Sequence, residues 1–231
     1  MNVSQLDLSS NELCGLDRRG RGTYTAEGIT AIADALRVNG SLTKLSLADN
    51  FWGEEGTKAI CEALEQNTTL KELDISGHPL RSNMGGSASA KHVAKMVLVN
   101  GGLTALDLSF NNLKDEGVGA ICEAIQSNKG TKLVSLNMAG NNIGQVGAKS
   151  VAAMVAVTGS LTSLDLSKNS LCGVNVYCGT YTAEGITAIA DALRVNGGLT
   201  SIDLRNNNMD KEGEYWIHNA VRGKAGFQLR L

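Results

Sequence analysis

Acidic side chains recur at a fixed place in this sequence, and paired carboxylates are groups that can do chemistry. They occur in short phrases such as LDISGH at 73–78, LDLSFN at 106–111 and LDLSKN at 164–169. Carboxylate pairs can act as acid and base, hold a divalent cation or attract a cationic partner. The chain also has 3 histidines and 5 cysteines, which are candidate nucleophiles and ligands for soft metals.

These reactive residues do not form a catalytic pattern. Catalysis needs a pocket with a partner acid, base or nucleophile, and Ca²⁺ needs about six to eight oxygens that converge from flexible loops. The sequence contains no GxxxxGK[ST], no GxGxxG after a strand, no HExxH and no GxSxG motif. We therefore predict a protein that is not an enzyme, with no catalytic residues, no cofactor and no metal site.

The cysteines favour structural roles. Cys61 and Cys122 lie on the apolar stripes of two predicted helices, and Cys14 and Cys172 occupy equivalent positions after a turn. Cys172 and Cys178 could close a loop disulfide or bind a soft metal, although no further ligand lies near them in the sequence. Reduced thiols are the favoured interpretation.

The acidic phrases belong to a repeat. Seven copies begin at residues 6, 45, 73, 106, 136, 164 and 202, and a partial eighth copy ends the chain at 227–231. Apolar and polar residues alternate within each copy, which predicts a strand with one buried face, and an amphipathic helical pattern follows it. One strand and one helix cannot bury a core alone, whereas stacked units share a continuous core.

Asparagines are expected to close the turns of the repeat. An asparagine ends most of the phrases and should turn inward to hydrogen-bond the backbone of neighbouring turns. His78 occupies that place in the third copy and can fill only part of the role. Asn-Gly pairs at 39–40, 100–101 and 196–197 follow predicted helices and predict left-handed residues at their C-termini.

The LxLxxN strand phrase, the spacing of about 28 residues and the helix phrase x-E-G-x-x-A-I-x-x-A-L resemble the ribonuclease-inhibitor-like class of leucine-rich repeats. The resemblance covers residues 1–231 and implies a single α/β domain. Its fold would be a curved solenoid, or horseshoe, with parallel β-strands on the concave face and α-helices on the convex face. We predict strands near 5–9, 44–48, 72–76, 105–109, 135–139, 163–167 and 201–205, and a partial closing strand at 227–231.

The resemblance leaves several functions open, because the class includes ribonuclease inhibitor, the sensor arrays of NOD-like receptors and Ran GTPase-activating protein. The leading hypothesis is a protein–protein interaction scaffold that binds through the concave sheet and the rim loops. The alternatives are a small-GTPase regulator and a structural subunit of a larger complex. Ribonuclease inhibition ranks last, because those inhibitors are larger and rich in cysteine.

The middle row of strand residues should define the concave surface. Neighbouring strands lie about 4.8 Å apart, so Asp74 beside Asp107 and Asp165 beside Asp203 should repel and raise at least one pKa in each pair. The row is either a strip that attracts a basic partner or a solvated face. The residues predicted to bind a partner here are Asp7, Asp74, Asp107, Asn137, Asp165, Asp203 and Arg205.

Three insertions, at 14–25, 78–89 and 172–182, should emerge on one rim of the solenoid. Loops that interrupt a repeat are often binding elements, although neutral expansion is equally open. The arginines of the first loop could instead contact phosphate or nucleic acid. The residues predicted to bind a partner on this rim are Arg18, Arg19, Arg21, His78, Arg81 and Tyr177.

Charge and composition restrict location and partners. The net charge is −2, so nothing drives the chain toward nucleic acid or acidic membranes. No signal peptide or stretch of about 20 apolar residues occurs, which predicts a soluble, cytoplasmic protein. The predicted partner is therefore another protein, with no specific nucleic acid and no membrane insertion.

Two further features bear on assembly. Residues 22–40 recur unchanged at 179–197, either through recent duplication or because two identical faces meet a symmetric partner. The chain begins almost directly with a strand at Leu6 and has no polar cap before it. The expectation is self-association or complex assembly through that end, or that the chain is part of a longer array.

Overall fold

Eight short parallel strands form one sheet whose order follows the chain. The structure is a computed structural model that describes residues 3–17, 19–79, 81–173 and 179–231. The strands are β1 Gln5–Asp7, β2 Lys44–Ser46, β3 Glu72–Asp74, β4 Ala105–Asp107, β5 Ser135–Asn137, β6 Ser163–Asp165, β7 Ser201–Asp203 and β8 Gln228–Arg230. They pair in register, so that Leu73 lies beside Leu106 and Asp74 beside Asp107.

A helix follows each of the first seven strands and packs on the same side of the sheet. The helices are α1 Glu27–Val38, α2 Gly53–Leu64, α3 Ala90–Val99, α4 Lys114–Ser127, α5 Gln145–Val157, α6 Glu184–Val195 and α7 Lys211–Val221, and a short 3-10 helix spans Ser87–Ser89. Helices are wider than strands, so the stack curves with the strands inside. The predicted α/β solenoid, with strands and helices in separate layers, is confirmed.

The strands are three residues long rather than the five expected. Interstrand bonding continues beyond β1, where the backbone N–H groups of Leu8 and Ser10 donate to Ser46 and Ala48 at 2.9 Å. Ser10 then adopts a positive φ of 57°, which turns the chain out of the extended conformation. The turn therefore ends the regular strand while the pairing of neighbouring repeats persists.

The core is one continuous layer between sheet and helices. Two apolar residues of each central phrase point into it, for example Leu106 and Leu108, both at most 2% exposed. Helix residues such as Ile121 and Ile125 close it from the other side. One repeat cannot enclose these leucines alone, so each unit depends on its neighbours for burial. Truncating such a leucine to alanine costs about 2–5 kcal/mol.

Buried asparagines at the strand ends tie the repeats together. Each amide donates to a backbone carbonyl of the preceding repeat, as Asn111 does to Ile75 at 2.8 Å. Each side-chain oxygen accepts a backbone N–H from the preceding turn, as Asn141 does from Asn111 at 2.9 Å. The members of this ladder are Asn50, Asn83, Asn111, Asn141, Asn169 and Asn207. This confirms the expected inward turn.

The third copy departs from the expectation for His78, because the insertion supplies a different residue. Asn83 enters the ladder, accepts the Asn50 N–H at 3.0 Å and donates to the Leu47 carbonyl at 3.1 Å. His78 instead forms an antiparallel bridge with Arg81, with both backbone bonds at 2.9 Å. A partial substitution by histidine was thus the wrong interpretation; the loop brings in a complete replacement.

A second asparagine ladder lies at the opposite rim, where left-handed helix caps were expected. Asn39, Asn100 and Asn196 have extended backbones, with φ of −78°, −74° and −75°. The Asn196 side-chain oxygen accepts the Leu199 N–H at 2.7 Å, and its amide donates to Val155 of the preceding helix at 2.6 Å. An asparagine that bridges two repeats needs this extended conformation, so the left-handed prediction was wrong.

Candidate functional site

The exposed face of the sheet carries two rows of side chains. In β2 to β7 the central apolar residue of each strand is buried, so the first and third residues face outward. The third residues form the predicted row from Asp7 to Asp203. The members of the row from β2 to β6 line a shallow depression of about 390 Å³, and they include Asp74, Asp107, Asn137 and Asp165.

The acidic centre of this face is hydrogen-bonded from strand to strand. The Asp74 carboxylate accepts the Ser46 hydroxyl at 3.0 Å, and the Asp107 carboxylate accepts the Asn137 amide at 2.8 Å. Burial raises the pKa of Asp107, and the neighbouring charge of Asp74 adds to that rise against the bonds from Ser109 and Asn137. The expected rise is confirmed for this pair, although burial contributes more than repulsion.

The pair at the far end behaves differently. Asp165 and Asp203 lie side by side, but Arg205 donates to both Asp203 carboxylate oxygens at 2.6–3.0 Å. Arg230 adds a second cation at 3.7 Å. Burial acts to raise the pKa of Asp203, but the bonds from Arg205 and the two cationic charges outweigh it and lower the pKa. The prediction that at least one pKa in this pair rises does not hold at Asp203, because Arg205 pairs with its carboxylate.

The remaining predicted residue of this face lies at the sheet edge. Asp7 is exposed, and its carboxylate accepts the Ser9 N–H at 2.9 Å. The first outward row, which the sequence interpretation did not use, contributes Lys44 and Glu72, whose charged groups are 3.0 Å apart. The period-2 pattern could have identified this row, since these residues stand two positions before the acidic row.

The first two rim loops touch one another. A side chain at Gly20 would overlap the guanidinium of Arg81, which lies 4.8 Å from the centre of the Phe51 ring. The rim also includes Phe110, whose ring lies 5.2 Å from the Lys168 ammonium. The cation–aromatic pairs were missed because each joins different repeats.

The arginines of the first loop are arranged around one carboxylate. Asp17 accepts the backbone N–H groups of Arg19 and Arg21 at 2.8 and 2.9 Å, and the Arg21 guanidinium lies 2.6 Å away. The backbone N–H and then the side chain of Arg21 lower the pKa of Asp17 to about 2. Both arginine side chains remain exposed. Arg18 and Tyr177, also predicted here, lie outside the described residues.

The cysteines are placed as the pattern indicated. Cys14, Cys61, Cys122 and Cys172 are free and buried. Burial raises the pKa of Cys14 and Cys172 to about 11 and that of Cys122 to about 12, which disfavours the reactive thiolate. Cys178, for which a pairing with Cys172 was one of the alternatives, lies outside the described residues.

Neither a metal-binding cluster nor a membrane-spanning helix is present among the described residues. No group of three or more His, Cys, Asp or Glu residues there is arranged to hold a metal ion. No helix there has the length and apolar character needed to cross a bilayer.

Known proteins match the repeats of this chain. A family model described as leucine-rich repeat matches residues 66–83, 103–122 and 131–152. The ribonuclease inhibitor of Sus scrofa is 34% identical over 146 residues, covering 63% of this chain and 31% of that protein. The ribonuclease inhibitor of Mus musculus is 34% identical over 194 residues, covering 76% of this chain and 41% of that protein.

Other matches include a larger protein and a solved structure. The human NACHT, LRR and PYD domains-containing protein 14 is 33% identical over 176 residues, covering 75% of this chain and 15% of that protein. A solved structure of the leiomodin-1 actin-binding site 2 gives a TM-score of 0.48 at 17% identity, covering 82% of this chain and 84% of that chain. The chain spans less than half the length of the two ribonuclease inhibitors and of the human NACHT, LRR and PYD domains-containing protein. The repeat phrase, its spacing and the matched relatives together identify a leucine-rich repeat protein of the ribonuclease-inhibitor-like class.

Proposed function

We propose that this chain is a protein-interaction module without catalytic activity, which binds a basic protein surface with its concave face and rim loops. The observation that carries the proposal is the acidic depression from β2 to β6. Its carboxylates belong to rigid paired strands, so they are held in place before a partner arrives. Preorganised charge favours specificity and fast association.

Within the described residues, no ion pair involves Asp74 or Asp107, the two acids at the centre of this surface. Asp74 and Asp107 are bonded to neutral groups of Ser46, Ser109 and Asn137. A lysine or arginine from a partner would relieve the repulsion between the two carboxylates and complete their hydrogen bonding. By contrast, Asp203 is already neutralised by Arg205. We therefore expect the partner to contact mainly strands β3 to β6.

The rim loops extend this surface with cations. Arg19 and Arg21 are exposed beside a depression of about 510 Å³ whose lining also includes Glu12, Asp49 and Phe51. Arg81 and Phe51 stack at its border. A partner that places basic groups on the sheet and acidic groups on this rim would match both regions, which is a stricter requirement than charge alone.

A triple variant tests the proposal. Asp74→Asn, Asp107→Asn and Asp165→Asn keep oxygen acceptors for the local turns but remove three charges. We expect partners recovered by crosslinking from the native source to be depleted about tenfold or more, with a loss that shrinks at high salt. The matched control neutralises three exposed acids on the helical side, Asp34→Asn, Glu123→Gln and Asp191→Asn. Equal recovery with both triple variants would refute the concave site.

The relatives offer a defined protein to test. Two of them are named ribonuclease inhibitors, so a purified ribonuclease is a direct candidate partner. Binding should weaken in the concave triple variant and as pH falls toward the raised pKa of Asp107, above its ordinary 3.8. Titration calorimetry with the ribonuclease measures both effects. Absence of binding would exclude this partner and leave the module proposal to the crosslinking experiment.

Two finer predictions accompany the proposal. A cytoplasmic location agrees with four buried free thiols and is tested by fractionation of the native source. Regulation of a small GTPase is favoured by no particular contact in the structure and rests on the resemblance alone. A GTP hydrolysis assay with purified GTPases would decide it.

A further inference from the structure

The second asparagine ladder is interrupted inside the solenoid. In an intact unit, the Asn100 amide donates to the Leu64 carbonyl in the last turn of α2 at 2.7 Å, and the Asn100 side-chain oxygen accepts the N–H groups of Gly102 and Leu103 at 2.8 and 2.9 Å. The asparagines whose amides reach the preceding repeat in this way are Asn67, Asn100, Asn128 and Asn196. After α5 the same place holds Thr158.

The threonine does not replace the missing carboxamide. Its hydroxyl donates to the Met154 carbonyl of its own helix at 2.8 Å, and a hydroxyl has only one proton to donate. Among the described residues, the Ile125 carbonyl in the last turn of α4 therefore accepts no hydrogen bond, and the backbone N–H groups of Ser160 and Leu161 donate none. The break leaves one acceptor and two donors where other repeats hold a carboxamide.

These unpaired groups lie in a largely buried place. Ile125 and Leu161 are each 2% exposed, and Thr158 is 6% exposed. The Ser160 hydroxyl oxygen is buried as well and has no hydrogen-bond partner within the described part of the chain. A buried polar group without a partner costs free energy, so a ligand that completes these hydrogen bonds would be bound favourably.

A cleft of about 240 Å³ opens at this break, and its lining includes Ile125, Asn128, Thr158 and Ser160. A Cβ added at Gly159 would meet no atom within 4 Å, so the cleft is open on that side. One water molecule has a share of about 30 Å³ in the liquid. The cleft therefore has room for a group several times larger than a water molecule, such as a carboxamide with its stem.

The arrangement of donors and acceptors selects the chemistry of the ligand. A primary carboxamide can donate to the Ile125 carbonyl while its oxygen accepts the N–H groups of Ser160 and Leu161. An ammonium would serve the carbonyl alone, as Lys224 does for the Asn196 carbonyl in the last repeat. A carboxylate would accept the N–H groups but would face the carbonyl end of α4, where negative charge is unfavourable. Only the carboxamide matches both sides.

The surroundings of the cleft favour a protein as the source of this group. Val157 borders the cleft and is 66% exposed, and Val195, its counterpart one repeat further on, is 72% exposed. An asparagine or glutamine that stands between apolar residues of a partner would cover these valines while its carboxamide enters the cleft. A small free amide would leave both valines in water.

We propose that the break in the second asparagine ladder at Thr158 is a binding site for a primary carboxamide, supplied by an asparagine or glutamine side chain of a partner protein. The incoming amide donates to the Ile125 carbonyl, and its oxygen accepts the N–H groups of Ser160 and Leu161, as Asn100 does within its own repeat. This site lies on the rim opposite the rim loops and does not overlap the concave surface.

The probe is asparagine capped as its N-acetyl N-methylamide, added to the isotopically labelled full chain and followed by two-dimensional NMR. We expect saturable shifts of the Ser160 and Leu161 amide signals, with millimolar affinity because few atoms make contact. The same compound made from aspartate keeps the caps and the shape but lacks the amide donor, and it should bind about tenfold more weakly.

A longer probe tests the source of the carboxamide. A capped valine–asparagine–valine peptide with an N-methylamide end should bind more tightly than capped asparagine, because its apolar side chains can cover Val157 and Val195. Propionamide is the matched small amide. Tighter binding of propionamide than of the peptide would overturn the assignment to a partner protein.

Two variants at Thr158 test the site itself. T158N adds a carboxamide that can fill the break, so probe binding should be lost and hydrogen exchange at Ser160 and Leu161 should slow. T158S is the matched control, because its hydroxyl leaves the break open, and it should bind within about twofold of wild type.

Three results would overturn the proposal: no saturable shift, equal binding of the aspartate compound, or binding that T158N retains. Each would mean that water alone satisfies the unpaired groups. Tighter binding of propylammonium than of capped asparagine would overturn the carboxamide assignment. The concave triple variant should bind the probe normally, so failure of this site and failure of the proposed function can be told apart.

Discussion

The two copies of one helix show how little a helix decides about its own burial. α1 and α6 share every residue, yet Ile189 is buried where Ile32 is half-exposed, and Ala192 is buried where Ala35 is exposed. The cause is the neighbour on one side, since α5 covers α6. Two helices with identical propensity and an identical amphipathic pattern are therefore buried to different extents. Paired substitutions in the two copies measure how much the neighbouring helix contributes to the free energy of unfolding.

The largest difference is expected for Ala192→Glu against Ala35→Glu. Ala192 is 5% exposed, so the new carboxylate would be buried without a partner. We expect a loss of about 4 kcal/mol or more in the free energy of unfolding for Ala192→Glu, and a change of about 0.5 kcal/mol or less for Ala35→Glu. Urea unfolding followed by circular dichroism measures both. Equal losses would mean that α5 does not shield this face.

A smaller difference is expected when isoleucine is truncated. Ile189 is 2% exposed, and Ile189→Ala should cost about 3 kcal/mol through lost burial and a residual cavity. Ile32→Ala should cost about 1 kcal/mol, because water already reaches part of the side chain. The same urea titration compares them. A larger loss at Ile32 would break the comparison and point to a contact that covers α1.

The asparagine pair isolates one donor group. Asn196→Asp removes two hydrogen bonds and places a carboxylate beside the carbonyls of Val155 and Thr158, so we expect a loss of about 2 kcal/mol. Asn39→Asp should change stability little in the isolated chain, because its amide has no acceptor there among the described residues. Thermal melts at matched pH provide the measurement, and a comparable loss at Asn39 would contradict the assignment.

The smallest effect is expected at the tyrosines that precede the helices. The Gly213 N–H and then the Tyr181 hydroxyl lower the pKa of Asp210, so its stabilisation is present above pH 3.8 and is lost as pH falls through the lowered pKa. Tyr181→Phe should raise that pKa. The copied Tyr24 donates to the Trp52 carbonyl at 2.6 Å, so Tyr24→Phe should leave carboxylate titrations unchanged. Carboxyl NMR titration distinguishes the two outcomes.

The repeat pattern was sufficient for the architecture because it is periodic. Each LxLxxN phrase became a paired strand, and the stripes that include Ile121 and Ile189 became buried helix faces. The spacing of strands predicted a raised pKa in the pair Asp74 and Asp107, and Asp107 shows that rise, although burial is its larger cause. Periodicity is informative here since every internal unit meets the same neighbours at the same distances.

Departures from the period could not be anticipated in the same way. Asn83 replaces His78 because the length of an insertion, rather than alignment of the phrase, decides which side chain reaches the ladder. The Arg205 side chain adopts a rotamer that places its guanidinium on the Asp203 carboxylate, and a sequence does not specify rotamers. The extended Asn196 depends on a carbonyl of the preceding helix that lies 41 residues away in the chain.

The amino-acid sequence by itself determined the unit of this protein, its strand, turn and helix, and the order in which units stack, because apolar periodicity and turn residues act locally. Only the tertiary structure decided which carboxylates pair with a cation, which asparagines find acceptors and how deeply each of two identical helices is buried. Those outcomes depend on desolvation and on partners supplied by the adjacent repeat, and neither is a property of the residue itself.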